Sequence, residues 1–315
     1  MFEITTAMNF TAGKFSRAYL KRMNLIRLSI SRVRICYYLS QRACFASITS
    51  VSFTRDVSSP PDRRPVSPPR VGIVVPCYNE GKRLPVAQFL DFLNQDFLKT
   101  YDINFLFVDD GSRDNTREVL ASLQTARPDR ITPIIQPQNR GKAETVRNGI
   151  CTALDQGFEY VGFWDADLAT PLNEIPNFMA ALAQRPELDM VLGARVKLLG
   201  REVQRKAARH YLGRGAATYI SLALGLDIYD SQCGAKIFRV RPNTRALFDR
   251  PFMSRWVFDV EILARYLKLV GPQAASRGIY ELPLHTWIDV DGSKISPKDY
   301  FISLWDVLRI RRAYL

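Results

Sequence analysis

Histidine is nearly absent, with only His210 and His285 among 315 residues. That shortage argues against a zinc centre and against a nucleophile activated by imidazole. Cysteine is also scarce, at five (Cys36, Cys44, Cys77, Cys151 and Cys233). The count is odd and no pair has zinc-ligand spacing, so the cysteines read as reduced thiols of a cytosolic protein. No long apolar run is uninterrupted: arginines break up Met23 to Phe53, and no transmembrane span is assigned there. Neither glycine-rich nucleotide fingerprint is present. Gly141-Lys142 lacks the spacing of a P-loop, and no G-x-G-x-x-G follows the first strand-like run.

Acidic residues are rare at the start of the chain. Residues 1–70 hold twelve Lys and Arg but only Glu3, Asp56 and Asp62, so about +9 of the net charge of +13 lies there. That basic, serine-rich segment reads as lying outside the fold. It is a transit-type presequence, a membrane-surface helix or an upstream extension. Ser58 to Pro69 is a proline-rich linker. With the excess charge confined to the tail, nucleic acid is not an expected partner.

From Val71 the chain alternates short apolar runs with helical stretches, the pattern of an α/β fold with a mostly parallel sheet. Strands are expected at Val71 to Val75, Phe105 to Val108, Thr132 to Gln136 and Tyr160 to Trp164. Helices are expected at Leu84 to Phe97, from about Thr116 with Ser112 or Asp114 as cap, at Ala143 to Gly157 and at Glu202 to Leu224. Each strand ends in a polar loop, and in open α/β sheets those ends form the ligand edge. Tyr78 suits stacking on a base, Asp109 or Asp110 suits a base N–H or a ribose hydroxyl, and Arg140 and Lys142 suit phosphates near a helix N-terminus.

The fourth strand runs into Asp165-Ala166-Asp167. Strand alternation would point both carboxylates to one side. Two close carboxylates repel unless a cation or donors hold them, and Mg²⁺ or Mn²⁺ with oxygen ligands does this while gripping a diphosphate.

These residues together resemble a known family. Val75-Pro76-x-Tyr78-Asn79-Glu80, Val108-Asp109-Asp110-Gly111-Ser112-x-Asp114-x-Thr116, Asn139-x-Gly141-Lys142 and Asp165-Ala166-Asp167 are similar to the signature of family-2 inverting glycosyltransferases. Gly193-Ala194-Arg195, Asp230 to Phe238, Arg255 to Glu261 and Trp287 to Lys294 resemble the branch of dolichyl-phosphate β-glucosyltransferases more narrowly. The resemblance implies a nucleotide-sugar-binding fold of the GT-A type over residues 71–299, beyond a tail and linker at 1–70. It also implies metal-dependent transfer of a sugar, glucose from UDP-glucose by the narrower motifs, to a polyprenyl phosphate. GDP-mannose or another donor, or a non-lipid acceptor, is the alternative.

On that resemblance, Asp167 is the main metal ligand and Asp165 contacts ribose or the metal. Pro76, Tyr78, Glu80, Asp110 and Ala166 belong to the nucleoside site, and Lys142, Gln232 and Lys294 to the diphosphate or sugar. The acceptor oxygen is already an anion and needs no strong base, only cations to hold it. Arg195 is the first candidate. Arg205 and Arg209, four apart on one expected helix, are either further acceptor ligands or a solvated face. Asp259 or Glu261 binds sugar hydroxyls, serves as base for an alcohol acceptor, or pairs with Arg255. Asp291 to Lys294 reads as a mobile lid or a plain turn. Residues 300–315 mix aromatic, aliphatic and basic side chains, which suits either an anionic membrane surface or packing on the domain itself. The expected site of action is therefore the cytoplasmic face of a membrane, as a peripheral protein.

Overall fold

The computed structural model describes residues 67–204, 207–289 and 297–315, with side chains excepted at 204–212 and 297–301. The basic tail, Arg205 and the Asp291 to Lys294 loop lie outside the described residues.

Strand β1 (Arg70–Cys77) is followed by α1 (Val86–Phe92), β2 (Asp102–Asp109), α2 (Thr116–Ala126), β3 (Ile131–Ile135), α3 (Lys142–Asp155) and β4 (Tyr160–Trp164). Then come α4 (Ile175–Gln184), β5 (Met190–Ala194), β6 (Glu202–Gln204), α5 (Ala207–Leu224) and β7 (Ala235–Arg239). The chain ends with α6 (Phe258–Val270), α7 (Pro272–Gly278), β8 (Ile279–Pro283), β9 (Thr286–Ile288) and α8 (Pro297–Tyr314). Seven strands form one sheet in the order β3-β2-β1-β4-β7-β5-β8, and β6 pairs with β9 in a second, two-stranded sheet. Within the large sheet β7 runs antiparallel to β4 and β5, and the other pairings are parallel.

The apolar runs become strands because helices cover both sheet faces. Val71, Ile73, Val75, Phe105 and Phe107 face one core, where Phe89 of α1 packs edge-on to Phe105 and Phe107. Val74, Leu106, Val108, Val161 and Phe163 face the other core. Gly149 lets α3 lie close to that second face: a Cβ there would meet Val74 Cγ1 at 2.5 Å.

Several expected boundaries move. The first helix stops at Phe92, and Asp96–Lys99 is a separate 3-10 turn. The stretch expected to be helical from Glu202 begins as β6, because Glu202 to Gln204 pair with Thr286 to Ile288, a partner distant in sequence. At α2 neither Ser112 nor Asp114 stands in the cap position, which is Asn115, although Asp114 Oδ1 accepts the Thr116 N–H at 3.1 Å. In α8 the apolar face packs inward: Val307 and Ile310 are buried, and the helix lies on α6 and α5. Ile302 and Trp305 remain 53% and 57% exposed, beside exposed Arg309, Arg311 and Arg312. Among the described residues, no helix is long and apolar enough to cross a membrane.

The chain steps from β1 outward to β2 and β3, then returns to place β4 on the other side of β1. That reversal opens a crevice at the C-terminal ends of β1 and β4.

Candidate active site

A cleft of about 500 Å³ fills that crevice, bounded among others by Pro76, Tyr78, Glu80, Asp110, Lys142 and the Asp165-Ala166-Asp167 run. All eight of these were expected in the donor site. Arg83, Asn139, Thr145, Arg255 and Trp256 also line it. Arg255 and Trp256 come from the loop before α6, more than eighty residues past the acidic pair, so no local pattern could have placed them there.

The walls are built by side-chain to backbone hydrogen bonds between loops. Asp110 accepts the N–H groups of Arg140 and Gly141 at 2.7 and 2.8 Å, fixing the entry to α3. Gly141 needs its φ of 89°, and a Cβ there would meet Arg255 Nε at 2.6 Å. Thr116 Oγ1 accepts the Glu80 N–H, Ser112 Oγ accepts the Asn79 N–H, and Asn79 Oδ1 accepts the Arg113 N–H. The loops after β1 and β2 are thereby zipped together. Asp109, by contrast, is fully buried and accepts from Arg117 Nε and Ser112 N, which makes it a loop brace facing away from a ligand.

The acidic pair converges through a turn, and the strand alternation expected from sequence does not extend to it. Strand β4 ends at Trp164, and the Leu168 N–H returns to the Asp165 carbonyl at 3.2 Å. Leu168 takes a left-handed φ of 51°, a strained conformation for a bulky side chain and one that tends to mark functional loops. Asp165 is fixed by its N–H to the Gly234 carbonyl. Its carboxylate occupies space that a Cβ on Gly234 would fill. Burial, reinforced by the Asp165 charge, raises the pKa of Asp167 above the ordinary carboxylate range.

Lys142 Nζ lies 2.5 Å from Asp165 Oδ1. Burial works against the Lys142 charge, but Asp165 and Asp259 outweigh it and hold its pKa above the usual lysine value. Until another anion takes that ammonium, it offsets part of the negative charge that would draw an ion to Asp165. Two carboxylates plus diphosphate and water oxygens make the donor set that Mg²⁺ or Mn²⁺ takes. Among the described residues no group of three or more His, Cys, Asp or Glu is arranged for a metal, and Asp165 and Asp167 are the acids at the cleft that could supply oxygens to one.

Other expected residues, Arg140, Arg195, Gln232, Asp259 and Glu261, do not line this cleft. Arg195, at the end of β5, donates Nε and Nη2 to Asp230 at 2.6 and 2.7 Å. Burial opposes its charge and the Asp230 carboxylate more than compensates, so its pKa is raised. Asp230 is in turn placed by Glu281, which accepts the N–H groups of Tyr229 and Asp230. Asp259 is buried with the Lys236 ammonium 2.6 Å away, and burial raises its pKa despite that partner. Gln232 Nε2 is buried with no hydrogen-bond partner among the described residues. Neither Asp259 nor Glu261 pairs with Arg255, which donates instead to Asn139 Oδ1 at 3.0 Å. Glu261 is fully buried against Arg265 and Tyr314 and does not line the cleft. The side chain of Arg209, like Arg205 and Lys294, falls outside the described residues.

The model of the glycosyl transferase family 2 matches residues 72–247. A dolichyl-phosphate β-glucosyltransferase of Dictyostelium discoideum is 31% identical over 265 residues, covering 81% of this chain and 77% of its own length. One from Mus musculus is 32% identical over 259 residues, covering 78% of this chain and 76% of its own. Glucosyl-3-phosphoglycerate synthase from Mycobacterium tuberculosis, solved with Mn²⁺, UDP-glucose and phosphoglyceric acid, shares the fold. Its TM-score is 0.58 at 15% identity, over 78% of this chain and 81% of that one. With the family match spanning more than half of the sequence, the chain belongs to glycosyl transferase family 2 and is a glycosyltransferase of the GT-A fold.

Proposed function

We propose that this enzyme transfers glucose from UDP-glucose to a polyprenyl phosphate with inversion at the anomeric carbon, assisted by Mg²⁺ or Mn²⁺. The observation that carries the reading is the convergence of Asp165, Asp167 and Lys142 on the switch-point cleft, in a chain whose relatives are dolichyl-phosphate β-glucosyltransferases.

Asp167 would be the main ligand of the ion, with Asp165 as the second acid that would help hold it. A bound divalent ion neutralises the charge that develops on the leaving diphosphate. Lys142, at the first turn of α3, lies where the helix N-terminus also favours phosphate. Tyr78 and Pro76 wall the nucleoside, while Asp110 holds the loop on which Asn139 and Gly141 stand. Arg255, bonded to Asn139, and Trp256 complete the wall beside that loop.

The acceptor phosphate attacks as an anion, so no base has to take a proton from it. Asp259 fits that chemistry: its carboxylate is paired with Lys236 and so is not offered as a base. Arg195 is engaged by Asp230, so it serves the acceptor phosphate only if that pair opens or shares its remaining N–H groups, and Arg205 and Arg209 are the further cations for the acceptor. A lipid acceptor requires the domain to sit at a bilayer. The exposed Trp305, Ile302 and arginines of α8 supply the aromatic and basic surface for peripheral binding to anionic lipid.

The test is purified enzyme with Mn²⁺ or Mg²⁺, labelled UDP-glucose, GDP-mannose and other donors, and polyprenyl phosphate in vesicles. Phosphoglyceric acid is the soluble-acceptor arm. Label from UDP-glucose entering the lipid phase is the expected result. Label that stays out of lipid with every donor defeats the lipid reading.

A further inference from the structure

The Lys142 ammonium rests on an oxygen that the expected metal would also use. It lies 2.5 Å from Asp165 Oδ1, and Asp165 is one of the two cleft carboxylates assigned above to the ion. Asp259, the next acid near it, is already neutralised by Lys236 at 2.6 Å. Asp165 is the acid nearest the Lys142 ammonium, with Asp259 and Asp167 adding to its hold from farther away. The two partners differ in freedom. The Asp165 backbone is pinned to Gly234, and its carboxylate lies in the gap which that glycine leaves. Lys142 is the first residue of α3 and ends a flexible four-carbon stem, so its ammonium relocates by rotamer change alone.

We propose that Lys142 is a resident cation that makes divalent-ion binding depend on the nucleoside diphosphate. In the empty site it neutralises Asp165 and repels the ion. When the diphosphate enters, the ammonium transfers to the phosphate oxygens and Asp165 is released for the ion. This rests on the assignment of the cleft to a nucleotide sugar and a cation. The physics is direct: a unit charge and a double charge at contact distance repel strongly in a partly buried cleft, where salt screens little. The diphosphate removes that repulsion by accepting both cations. Linkage then requires the ion to tighten diphosphate binding by the same factor by which the diphosphate tightens ion binding.

The measurement is Mn²⁺ binding to the full chain, read from the EPR signal of free Mn²⁺, first alone and then with UDP or GDP. Wild-type protein should bind Mn²⁺ weakly alone and about tenfold more tightly with the matching nucleoside diphosphate. Lys142→Gln should bind Mn²⁺ alone about tenfold more tightly than wild type and lose most of the nucleotide enhancement. Lys142→Arg, which keeps the charge, should behave as wild type. A folded Lys142→Gln protein, by its melting curve, that binds Mn²⁺ alone no better than wild type overturns the proposal. So does wild-type protein whose Mn²⁺ affinity is the same with and without nucleotide, a result that needs no variant. If Mn²⁺ and nucleotide bind cooperatively but no sugar moves to lipid, the transfer reading fails and this one stands.

Discussion

The Tyr314 hydroxyl donates to Glu261 Oε1 at 2.9 Å, joining the last turn of α8 to the buried face of α6. Glu261 Oε2 accepts the Met253 N–H at 2.7 Å, two residues before Arg255. Arg265 binds Glu261 and also the carbonyls of Leu247, Arg250 and Pro251. One buried ion pair thus anchors the C-terminal helix and the loop that brings Arg255 and Trp256 to the cleft.

Glu261→Ala strands the buried Arg265 guanidinium without its counter-charge and should cost about 3–5 kcal/mol. Tyr314→Phe removes two hydrogen bonds, one donated to Glu261 and one accepted from Arg265 Nε, and should cost about 1–3 kcal/mol. Urea unfolding checks both. Because Glu261 faces no ligand, Tyr314→Phe should leave the donor KM within about twofold of wild type. A large KM change with unchanged stability would return Glu261 and its partners to the substrate site.

Asp167→Asn preserves shape and removes the charge. Transfer should fall by about 10²–10³, the loss seen when one preorganised electrostatic contact is deleted. Titration calorimetry in the presence of the nucleoside diphosphate should show Mn²⁺ binding lost, while the melting temperature does not fall. The sign for stability follows from Asp167's raised pKa: burial without a cation disfavours its ionised form, so removing the charge does not weaken the empty protein.

Much of this site was readable in the sequence because its parts are local. A buried parallel strand writes itself as a continuous apolar run, and the polar residues following each run necessarily arrive at one sheet edge. Hence Pro76, Tyr78, Asp110, Lys142 and Asp165 meet in one cleft. What stayed hidden depends on partners distant in sequence. Arg195 and Asp230 are 35 residues apart, and nothing near Arg195 signals that its guanidinium is already engaged. Lys236 and Asp259 are likewise far apart, one on β7 and one on α6. The antiparallel course of β7 and the pairing of β6 with β9 are equally non-local, since strand composition does not encode direction or partner.

Glu281 provides a pH test. Burial raises its pKa, even though two backbone N–H groups favour its ionised form. With a raised pKa, the folded chain holds a proton that the unfolded chain has released, across the window from the ordinary glutamate range up to the raised value. In that window stability falls as pH rises. Glu281→Gln removes the titration. The stability of wild type minus that of the variant, from urea midpoints at successive pH values, should therefore decline as pH increases through the window and then level off. A difference that is flat or rises across it would show that the N–H groups outweigh burial.

Gly234→Ala isolates the geometry of the acidic pair from its charge. Gly234 borders Asp165 twice: its carbonyl accepts the Asp165 N–H, and the space beside its Cα holds the Asp165 carboxylate. The glycine has no left-handed φ, so alanine brings little backbone strain, and the added methyl acts by pushing the carboxylate. A displacement of that size, on the order of 1 Å, commonly costs about a hundredfold in rate when it misplaces a reacting or ligating group. Expected outcomes are kcat/KM lowered about a hundredfold and Mn²⁺ affinity lowered with it, at nearly unchanged melting temperature. A variant that unfolds would mean the carboxylate has no room to move. One that retains full activity would place the ion on Asp167 alone.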